Sequence, residues 1–569
     1  MNRFFMMNHI KAASFAVLAS LALCAGLTSI AQEKREWGKW DRWGDLGNGT
    51  YLNPVIPADY SDLDCIRVGD DYYAITSTFQ FSPGMTIIQS TDLVNWRIVG
   101  NAVPDLTQIG EALNWTKMDR PARGIWAGTL RHHNGRFYLF FGTPDEGYFM
   151  TSAPKPEGPW EPLTCLLAEN GWDDCTVMWD DDGTACFVGT CFKDNYKTYM
   201  FPMSPDGKKI DRSKGILLNE GWGREANKLI KVGDWYYLVF SEHRNGIGRY
   251  VMAKRAKKML GPYDEEKQVA HASADAHEPN QGGIVEGKDG KWYFLTHHGN
   301  GDWSGRIVSL LPVTWIDGWP IIGKVQPDGM GTMQWEGKIP AAEGEKNVAL
   351  ADKSYLQTSD DFDRTDGKLN PQWQWNYQPR KEFFSLTDRP GFLRLKAFRP
   401  LEKNKLMKAG NTLTQRSFRK PFNEVVVKLC VDGMENGQKA GLCHFSSDHS
   451  AIGVAMEDDN LHVEFRHNDR IERGPEVPRR YFERTTTDSQ GNILVKKGFN
   501  KPSYIWFRST WGLDGVSHYS YSLDGVNYTP FGEPYRLQWG NYRGDRIGIY
   551  TFNDDADAGF VDVDYLHYK

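Results

Sequence analysis

GTLRHHNGRFYLFFGT, residues 128–143, contains a β-rich run, an Asn-Gly turn and an aromatic-rich strand. The same pattern occurs four more times, in DCIRVGDDYYAITST (64–78), TVMWDDDGTACFVGT (176–190), NKLIKVGDWYYLVFSEH (227–243) and GGIVEGKDGKWYFLTHHG (282–299). The turns contain Gly69, Gly135, Gly183, Gly233 and Gly290, and glycine supplies the positive φ that tight hairpin turns need. The pattern predicts five β-hairpins.

The spacing of these hairpins predicts a propeller. Their starts recur roughly every 50 to 65 residues, which suits four-stranded blades. Helical periodicity is almost absent, so the class is all-β, and a five-bladed β-propeller is expected over about 59–338. The alternative is a long array of β-sandwiches. A segment rich in Ala, Glu and Lys, 339–354, is interpreted as a linker, and the short strands and turns of 355–569 predict an antiparallel β-sandwich.

The bulk composition excludes some partners. A formal charge of -6 over 569 residues gives no reason to expect nucleic acid or an anionic membrane surface. Residues 1–31 are typical of a signal peptide cleaved after Ala31, so an exported, periplasmic protein is expected. The propeller, as the expected catalytic domain, then occupies 32–338. Lipidation at Cys24 for the cell surface is the less favoured alternative. The other seven cysteines show no CxxC pair and are interpreted as small buried residues.

Residues just ahead of each hairpin should meet at the propeller axis. Counting back seven to nine residues from each turn glycine gives Asp62, Trp126, Asp174, Glu225 and Gln281. Three of the five are carboxylates. Like charges crowded in a partly desolvated pocket cannot all ionise, so their pKa values separate and the groups divide into acid and base. That division is what glycosidic bond cleavage requires.

The same segments carry a family resemblance. NPVIPADYSDLDCIRVGDDYY (53–73), STFQFSPG (77–84) and STDLVNW (90–96) resemble the opening of glycoside hydrolase family 43, which includes β-xylosidases, α-L-arabinofuranosidases and arabinanases. RGIWAGTLRHHNGRFY (123–138), WDDCTVMWDDDG (172–183), WGREANKLIKVGDWYY (222–237) and GRIVSLLPVTWIDGWPIIG (305–323) resemble its later blocks, in order. The resemblance implies a propeller followed by a concanavalin-like β-sandwich.

The resemblance also implies roles for individual residues. Asp62 resembles the general base, Glu225 the general acid, and Asp174 the carboxylate that orients the acid and tunes its pKa. Inversion in one displacement is implied, with base and acid ~6.5 to 9.5 Å apart. The residues assigned to substrate binding are Arg306, Trp126, Phe79 and Gln281, the aromatic rings as platforms for sugar C–H faces and Arg306 for hydroxyls.

This chain departs from the family pattern in three places. Ser61-Asp62-Leu63 stands where many members have Pro-Asp-Pro, and EANKLIK replaces a Glu-Gly-Pro-His run. Gln281 stands where many members have an axial histidine, so a calcium ion on the axis lacks support from the sequence and no cofactor is expected. The pairs His132-His133 and His297-His298 do not favour zinc, because adjacent strand residues face opposite ways.

The function expected from these features is exo-acting, inverting hydrolysis of an oligosaccharide. The predicted product is terminal α-L-arabinofuranose from side chains of xyloglucan or arabinoxylan. The first alternative is a β-xylosidase or a bifunctional arabinofuranosidase/xylosidase. Two further alternatives are a sugar-binding propeller without catalysis and a fructan-cleaving enzyme, although the latter group carries an Asn-Asp-Pro block where this chain has Ser61-Asp62-Leu63.

Overall fold

A computed structural model describes residues 41–272, 279–298, 302–340, 356, 359–478, 481–500, 503–540 and 542–569. The predicted signal peptide 1–31, including Cys24, lies outside the described residues, as does the predicted linker 339–354 beyond residue 340. Within the described ranges, no helix combines the length and apolar character that crossing a lipid bilayer requires.

The first part of the chain folds into short antiparallel strands. They are β1 (Gly44–Asp45), β2 (Thr50–Leu52), β3 (Asp64–Val68), β4 (Asp71–Thr76), β5 (Phe81–Ser82), β6 (Gly84–Ser90), β7 (Arg97–Val103), β8 (Gly128–His133), β9 (Arg136–Thr143), β10 (Gly147–Ala153), β11 (Thr164–Leu167), β12 (Trp172–Trp179), β13 (Ala185–Cys191), β14 (Lys197–Met203), β15 (Ile216–Asn219), β16 (Glu225–Val232), β17 (Trp235–Arg244), β18 (Gly248–Ala256), β19 (Glu265–Ala270), β20 (Gly282–Glu286), β21 (Trp292–His298), β22 (Ile307–Ile316), β23 (Trp319–Ile322), β24 (Lys324–Val325), β25 (Gly331–Thr332) and β26 (Glu336–Lys338).

Five of the sheets built from these strands form a ring. Their orders are β3-β4-β6-β7, β8-β9-β10-β11, β12-β13-β14-β15, β16-β17-β18-β19 (extended by β25 and β24) and β20-β21-β22-β23. The first strands contact one another in the cyclic order β3, β8, β12, β16, β20 and back to β3. The turn glycines all have positive φ, from 56° at Gly233 to 83° at Gly183. The predicted all-β propeller is therefore confirmed, and its axis lies among the five first strands.

Apolar clusters between neighbouring sheets hold the ring together. Ile75 and Ile87 of the first sheet pack against Leu139 of the second, and Tyr72 of the first sheet packs against Leu295 of the fifth. Each sheet is thus covered on both faces. Strands buried on both faces carry near-continuous apolar runs, which explains segments such as RFYLFFGT at 136–143.

The second part of the chain forms a two-layer β-sandwich. Its strands are β27 (Gln374–Asn376), β28 (Phe384–Ser385), β29 (Leu393–Lys396), β30 (Leu413–Arg416), β31 (Asn423–Cys430), β32 (Gln438–Phe445), β33 (His449–Glu457), β34 (Asn460–His467), β35 (Arg470–Glu476), β36 (Tyr481–Thr487), β37 (Ile493–Asn500), β38 (Tyr504–Trp511), β39 (Val516–Ser522), β40 (Thr529–Pro530), β41 (Tyr535–Arg536), β42 (Arg546–Asn553) and β43 (Phe560–Tyr568). The layers are β35-β34-β33-β32-β42-β30-β27-β5 and β28-β29-β43-β31-β38-β39-β40. Their facing side chains form one large apolar core, as expected for a sandwich.

Helical structure in the described ranges is confined to single 3₁₀ turns. They span Leu106–Gln108, Glu111–Leu113, Arg212–Lys214, Lys381–Phe383 and Leu406–Lys408. The seven cysteines after Cys24 are unpaired in the structure, and five of them are buried as predicted, whereas Cys165 is exposed and Cys191 is partly buried.

One strand of the propeller segment belongs to the sandwich. β5 pairs with β27, with Phe81 opposite Asn376 and Ser82 opposite Trp375. Phe81 is only 1% exposed and packs in a sandwich cluster that includes Phe445. The guanidinium of Arg546 lies 4.2 Å from the centroid of the Phe81 ring. The two domains are therefore joined by a strand pair and a buried aromatic ring.

Removing this ring should loosen the junction. We expect Phe81→Ala to lower the free energy of unfolding by about 3–5 kcal/mol, the usual cost of truncating a buried phenylalanine. The variant should also accelerate hydrogen exchange of the amides in β27. Phe507→Ala, in the sandwich core far along the chain and fully buried, is the control. This control variant should lower the free energy of unfolding by a similar amount without a selective effect on the β27 amides. Equal hydrogen-exchange rates of the β27 amides in the two variants would contradict a special role for Phe81.

Candidate active site

The ring brings the predicted axial residues to one end of the propeller. Asp62 and Gln281 lie just before β3 and β20, as predicted, whereas Asp174 and Glu225 lie inside β12 and β16. Both strands begin earlier than predicted, and each contains a β-bulge, between Asp173 and Cys175 in β12 and between Glu225 and Lys228 in β16. A bulge redirects a side chain at the end of a strand, here toward the axis.

Asp62 is buried and paired with arginine. Its carboxylate receives two hydrogen bonds from Arg306, at 2.7 Å from Nη1 and 2.9 Å from Nη2. Burial alone would raise the pKa of Asp62, but the Arg306 guanidinium outweighs it and the pKa is held below its ordinary value. Asp62 is therefore ionised at neutral pH, as a base that accepts a proton from water must be.

His297 fixes the backbone of Asp62. Asp62 has a φ of 58°, and its backbone N–H donates to Nδ1 of His297 at 2.7 Å. Burial, with the nearby Arg306, lowers the pKa of His297 to about 3, so the ring is neutral. Because Nδ1 accepts a hydrogen bond, the ring proton is on Nε2. The histidine thus holds Asp62 in its left-handed backbone conformation.

Asp174 lies among other carboxylates. Its Oδ2 accepts from the Ala226 N–H at 2.9 Å and its Oδ1 from Nε2 of Gln281 at 2.5 Å. Burial and the charges of Glu225 and Asp62 raise the pKa of Asp174 to about 7. The three predicted carboxylates are therefore close enough to act on one another, and the group retains a proton near neutral pH.

Asp173 adds a fourth carboxyl group that sequence reasoning missed. Its Oδ1 is buried and has no hydrogen-bond partner among the described residues. Burial, together with the charge of Asp174, raises the pKa of Asp173 well above its ordinary value. Its position next to Asp174 in WDD was the only signal in the sequence.

Glu225 is paired with Arg249, which sequence reasoning also missed. Nη2 of Arg249 forms an ion pair with Oε1 of Glu225, whose side chain is 21% exposed. Nη1 of Arg249 donates to the Ser241 hydroxyl at 3.2 Å and to the Gly223 carbonyl at 3.3 Å. These contacts orient the guanidinium and, through it, the Glu225 carboxylate. Arg249 lies in β18, outside the hairpin pattern, so no spacing pointed to it.

Aromatic side chains from both domains line a pocket beside these groups. A cavity of about 420 Å³ is lined by Pro121, Ala122, Arg123, Trp126, Trp539 and Tyr542. The rings of Trp126 and Tyr542 meet edge to face with centroids 5.7 Å apart. The Tyr542 carbonyl accepts from Nε of Arg306 at 2.8 Å. A sandwich loop thus contacts both Trp126 and the arginine that holds Asp62.

The four residues predicted to bind substrate differ in their burial and in their contacts. Trp126 is half-buried and lines the pocket, as a platform should. Phe79 is 3% exposed, with the Arg306 guanidinium 6.0 Å from its ring centroid, so its ring is largely covered. Arg306 and Gln281 hydrogen-bond to Asp62 and Asp174, respectively. Contacts of these four residues with substrate remain predictions.

The described part of the chain contains no group of three or more His, Cys, Asp or Glu side chains placed to share a metal ion. Asp64, the first residue of β3, accepts hydrogen bonds from the Thr129 hydroxyl at 2.5 Å and from Nη1 of Arg131 at 2.6 Å. The charge of Lys228 also acts on Asp64 and on Asp174. That the protein requires no cofactor stays a prediction, as does the lack of sequence support for a calcium ion on the axis.

Comparisons with known proteins give matches along both domains. The profile described as Glycosyl hydrolases family 43 matches residues 51–320, and the one described as Beta xylosidase C-terminal Concanavalin A-like domain matches 359–569. A protein from Formosa agariphila named Beta-xylosidase is 31% identical, over 92% of this chain and 91% of its own length. A Bacteroides ovatus protein named non-reducing end alpha-L-arabinofuranosidase is 30% identical, over 63% of this chain and 67% of its own.

A solved structure shares the whole two-domain arrangement. It is described as a bifunctional GH43-CE protein of Bacteroides eggerthii, with a TM-score of 0.75 and 28% sequence identity. The match covers 91% of this chain and 63% of that longer protein.

The raised pKa of Asp174 predicts a pH-dependent contribution to stability. An aspartate whose folded pKa exceeds its unfolded value of about 3.9 makes the folded state bind its proton more tightly. This stabilisation is present below the unfolded pKa and is lost as pH rises to about 7. We expect the free energy of unfolding of the wild type to fall relative to that of Asp174→Asn between pH 4 and pH 7, measured by denaturant unfolding. Asp234→Asn, in an exposed turn, should follow the wild type; parallel curves for wild type and Asp174→Asn would refute the raised pKa.

Proposed function

This chain belongs to glycosyl hydrolase family 43, and we propose that it is an exo-acting glycoside hydrolase that releases a terminal β-D-xylopyranosyl residue from xylan-derived oligosaccharides. The observation that carries the proposal is the meeting of Asp62, Asp174 and Glu225, with Asp62 connected to the aromatic pocket through Arg306 and the Tyr542 carbonyl. The pKa of Asp62 is lowered and that of Asp174 is raised. One carboxylate of the group is thus ionised while the group as a whole keeps a proton near neutral pH, and cleavage of a glycoside by a base and an acid uses both states.

We assign the chemical roles from the surroundings of each carboxylate. Asp62 is the general base, because Arg306 keeps it ionised so that it can remove a proton from the attacking water. Glu225 is the general acid, because it stands at the position that resembles the acid of the family and its side chain is partly exposed. Burial and the charges of Glu225 and Asp62 raise the pKa of Asp174 to about 7, so this group of carboxylates keeps a proton near neutral pH. Arg249 orients Glu225, and the water attacks in one inverting displacement.

The exo-action is supported by the sandwich loop at the pocket. Tyr542 and Trp539 line it together with Trp126, and the Tyr542 backbone is hydrogen-bonded to Arg306. A groove that is obstructed on one side accepts a chain end more readily than the middle of a polymer. One terminal sugar would therefore enter the pocket, with the rest of the saccharide on the Glu225 side.

The choice of sugar rests on the relatives. The Formosa agariphila protein, which matches along more than nine-tenths of both chains, is named for xylose. The Bacteroides ovatus relative is named for arabinofuranose and matches a shorter part of this chain. We therefore place β-D-xylopyranose first and α-L-arabinofuranose, on side chains of xyloglucan or arabinoxylan, as the second candidate. The amino-acid sequence alone favoured α-L-arabinofuranose over β-D-xylopyranose.

We propose further that the protein is exported. The proposal rests on the order of segments in 1–31, where positively charged residues are followed by an apolar run and then by small residues, with cleavage after Ala31. Periplasmic delivery would bring the enzyme to imported oligosaccharides. Mass spectrometry of the protein from its own cells would find a chain beginning at Gln32, or an acylated chain beginning at Cys24 if the alternative is correct.

A direct assay decides between the two sugars. We expect 4-nitrophenyl β-D-xylopyranoside to be hydrolysed with at least tenfold higher kcat/KM than 4-nitrophenyl α-L-arabinofuranoside. Proton NMR of the first-formed sugar should show the anomer opposite to that of the substrate, as inversion requires. The reverse preference would establish the second candidate. Release of neither pentose by folded protein would refute the proposed activity.

Substitution of the two catalytic carboxylates should have different effects. Asp62→Asn should reduce kcat by at least about 10³-fold on every substrate, because it removes the base that activates water. Glu225→Gln should reduce turnover strongly for xylobiose but far less for an aryl xyloside with a good leaving group, which needs little protonation. Asp234→Asn serves as the control. Equal, small losses in both variants would show that the site is elsewhere.

A further inference from the structure

Trp222 is an exposed aromatic side chain next to the proposed acid. It is 60% exposed, which is unusual for so large an apolar residue. It lies in the turn that immediately precedes β16, three residues before Glu225. Three residues of extended chain span at most about 10 Å, so the Cα atoms of Trp222 and Glu225 lie no farther apart than that.

The orientation of the Trp222 ring is fixed by its neighbours. Its Nε1 donates to Nδ1 of His243 at 3.1 Å. The Tyr196 ring meets it at an interplanar angle of 78° with centroids 5.2 Å apart. Gly223 has a φ of 66°, and a Cβ there would lie 2.4 Å from the His243 Cβ, so only glycine allows this approach. The indole is therefore held in place although most of it faces solvent.

Such an arrangement suits a carbohydrate. A pyranose presents apolar C–H faces, which pack on the face of an aromatic ring, and hydroxyls, which need polar partners nearby. Neither Tyr196 nor His243 is stacked parallel on the indole, since both rings meet it close to perpendicular. A ring that is already ordered also loses little conformational entropy on binding.

The leaving group must lie on this side of the site. A general acid protonates the oxygen of the leaving group, so the sugar that departs is next to Glu225. Tyr196 connects the two regions, because its ring contacts Trp222 while the charge of Glu225 acts on its phenol group. Trp126 and Tyr542 line the pocket for the terminal sugar, which leaves Trp222 for the units beyond the cleaved bond.

We propose that Trp222, supported by Tyr196 and His243, forms a binding site for a pyranose unit of the departing saccharide. This inference rests on the proposed function and adds its substrate class: an oligosaccharide of at least two sugar units is preferred over a simple glycoside. The contact contributes to substrates that extend beyond the cleaved bond and not to the terminal sugar itself.

Two substrates separate this site from the rest of the catalytic machinery. Xylotriose extends over Trp222, whereas β-D-xylopyranosyl fluoride has a leaving group too small to reach it. An aromatic stacking contact of about 0.5–1.5 kcal/mol corresponds to roughly a 2–12-fold effect. We expect Trp222→Ala to lower kcat/KM for xylotriose by about 5–10-fold, mainly through KM, and to change that for the fluoride less than twofold. Trp222→Phe, which keeps a stacking face, should recover most of the loss.

Phe422→Ala is the matched control, because Phe422 is 59% exposed on the sandwich. It should leave both substrates unaffected. The inference is overturned if Trp222→Ala affects both substrates equally or neither, even though the wild type cleaves both. If the wild type cleaves neither the xyloside nor the arabinofuranoside, the proposed function itself fails. Should arabinofuranose be the sugar released, arabinosylated xylotriose and α-L-arabinofuranosyl fluoride take the place of the two substrates.

Discussion

The pairing of β5 with β27 fixes how the two domains contribute to one site. Phe79, two residues before Phe81, lies beside Arg306, whereas Phe81 is buried in the sandwich. Backbone hydrogen bonds between strands allow one register only, because a shift by one residue would turn every side chain to the other face. The sandwich loop that carries Tyr542 therefore has a defined position against Arg306 and Trp126. A propeller alone would leave that side of the pocket open.

At the propeller axis, neighbouring side chains give similar carboxylates different pKa values. Asp62 is bound by Arg306 and stays ionised despite its burial. Asp174 accepts hydrogen bonds from the Ala226 N–H and the Gln281 amide, and burial with the charges of Glu225 and Asp62 raises its pKa although Lys228 opposes the shift. The cost of burying like charges together is thus relieved at one carboxylate by a cation and at another by a proton. The carboxylates therefore keep a proton within the group while Asp62 stays ionised at the same pH.

The carboxylates are held in place by strained or irregular backbone. Asp62, Asp174 and Ala226 all have positive φ, which is uncommon for residues other than glycine. Such conformations persist only where surrounding contacts require them, and they cluster at functional sites. His297 supplies one such contact at Asp62, and the β-bulges of β12 and β16 accommodate the others. The regular pattern of the blades is broken where the chemistry is proposed.

Much of this organisation was predictable from sequence, because hairpins are local structures. Strand pattern and turn glycines lie within 15 to 20 residues of one another, and the repeat identified Asp62, Asp174 and Glu225 as equivalent positions. The sequence did not indicate that Arg306 binds Asp62, 244 residues away, or that Tyr542 binds Arg306, 236 residues away. Nor did the sequence indicate that Arg249 pairs with Glu225 or that the Trp222 side chain is exposed.

The amino-acid sequence by itself thus determined the fold class, the hairpin repeat and the carboxylates at its axis, since turn chemistry and apolar patterning act between near neighbours. Only the tertiary structure decided which cation faces each acid, which aromatic rings are covered and where the sandwich meets the pocket. Those features depend on side-chain contacts between distant segments, and no periodicity in the chain encodes such contacts.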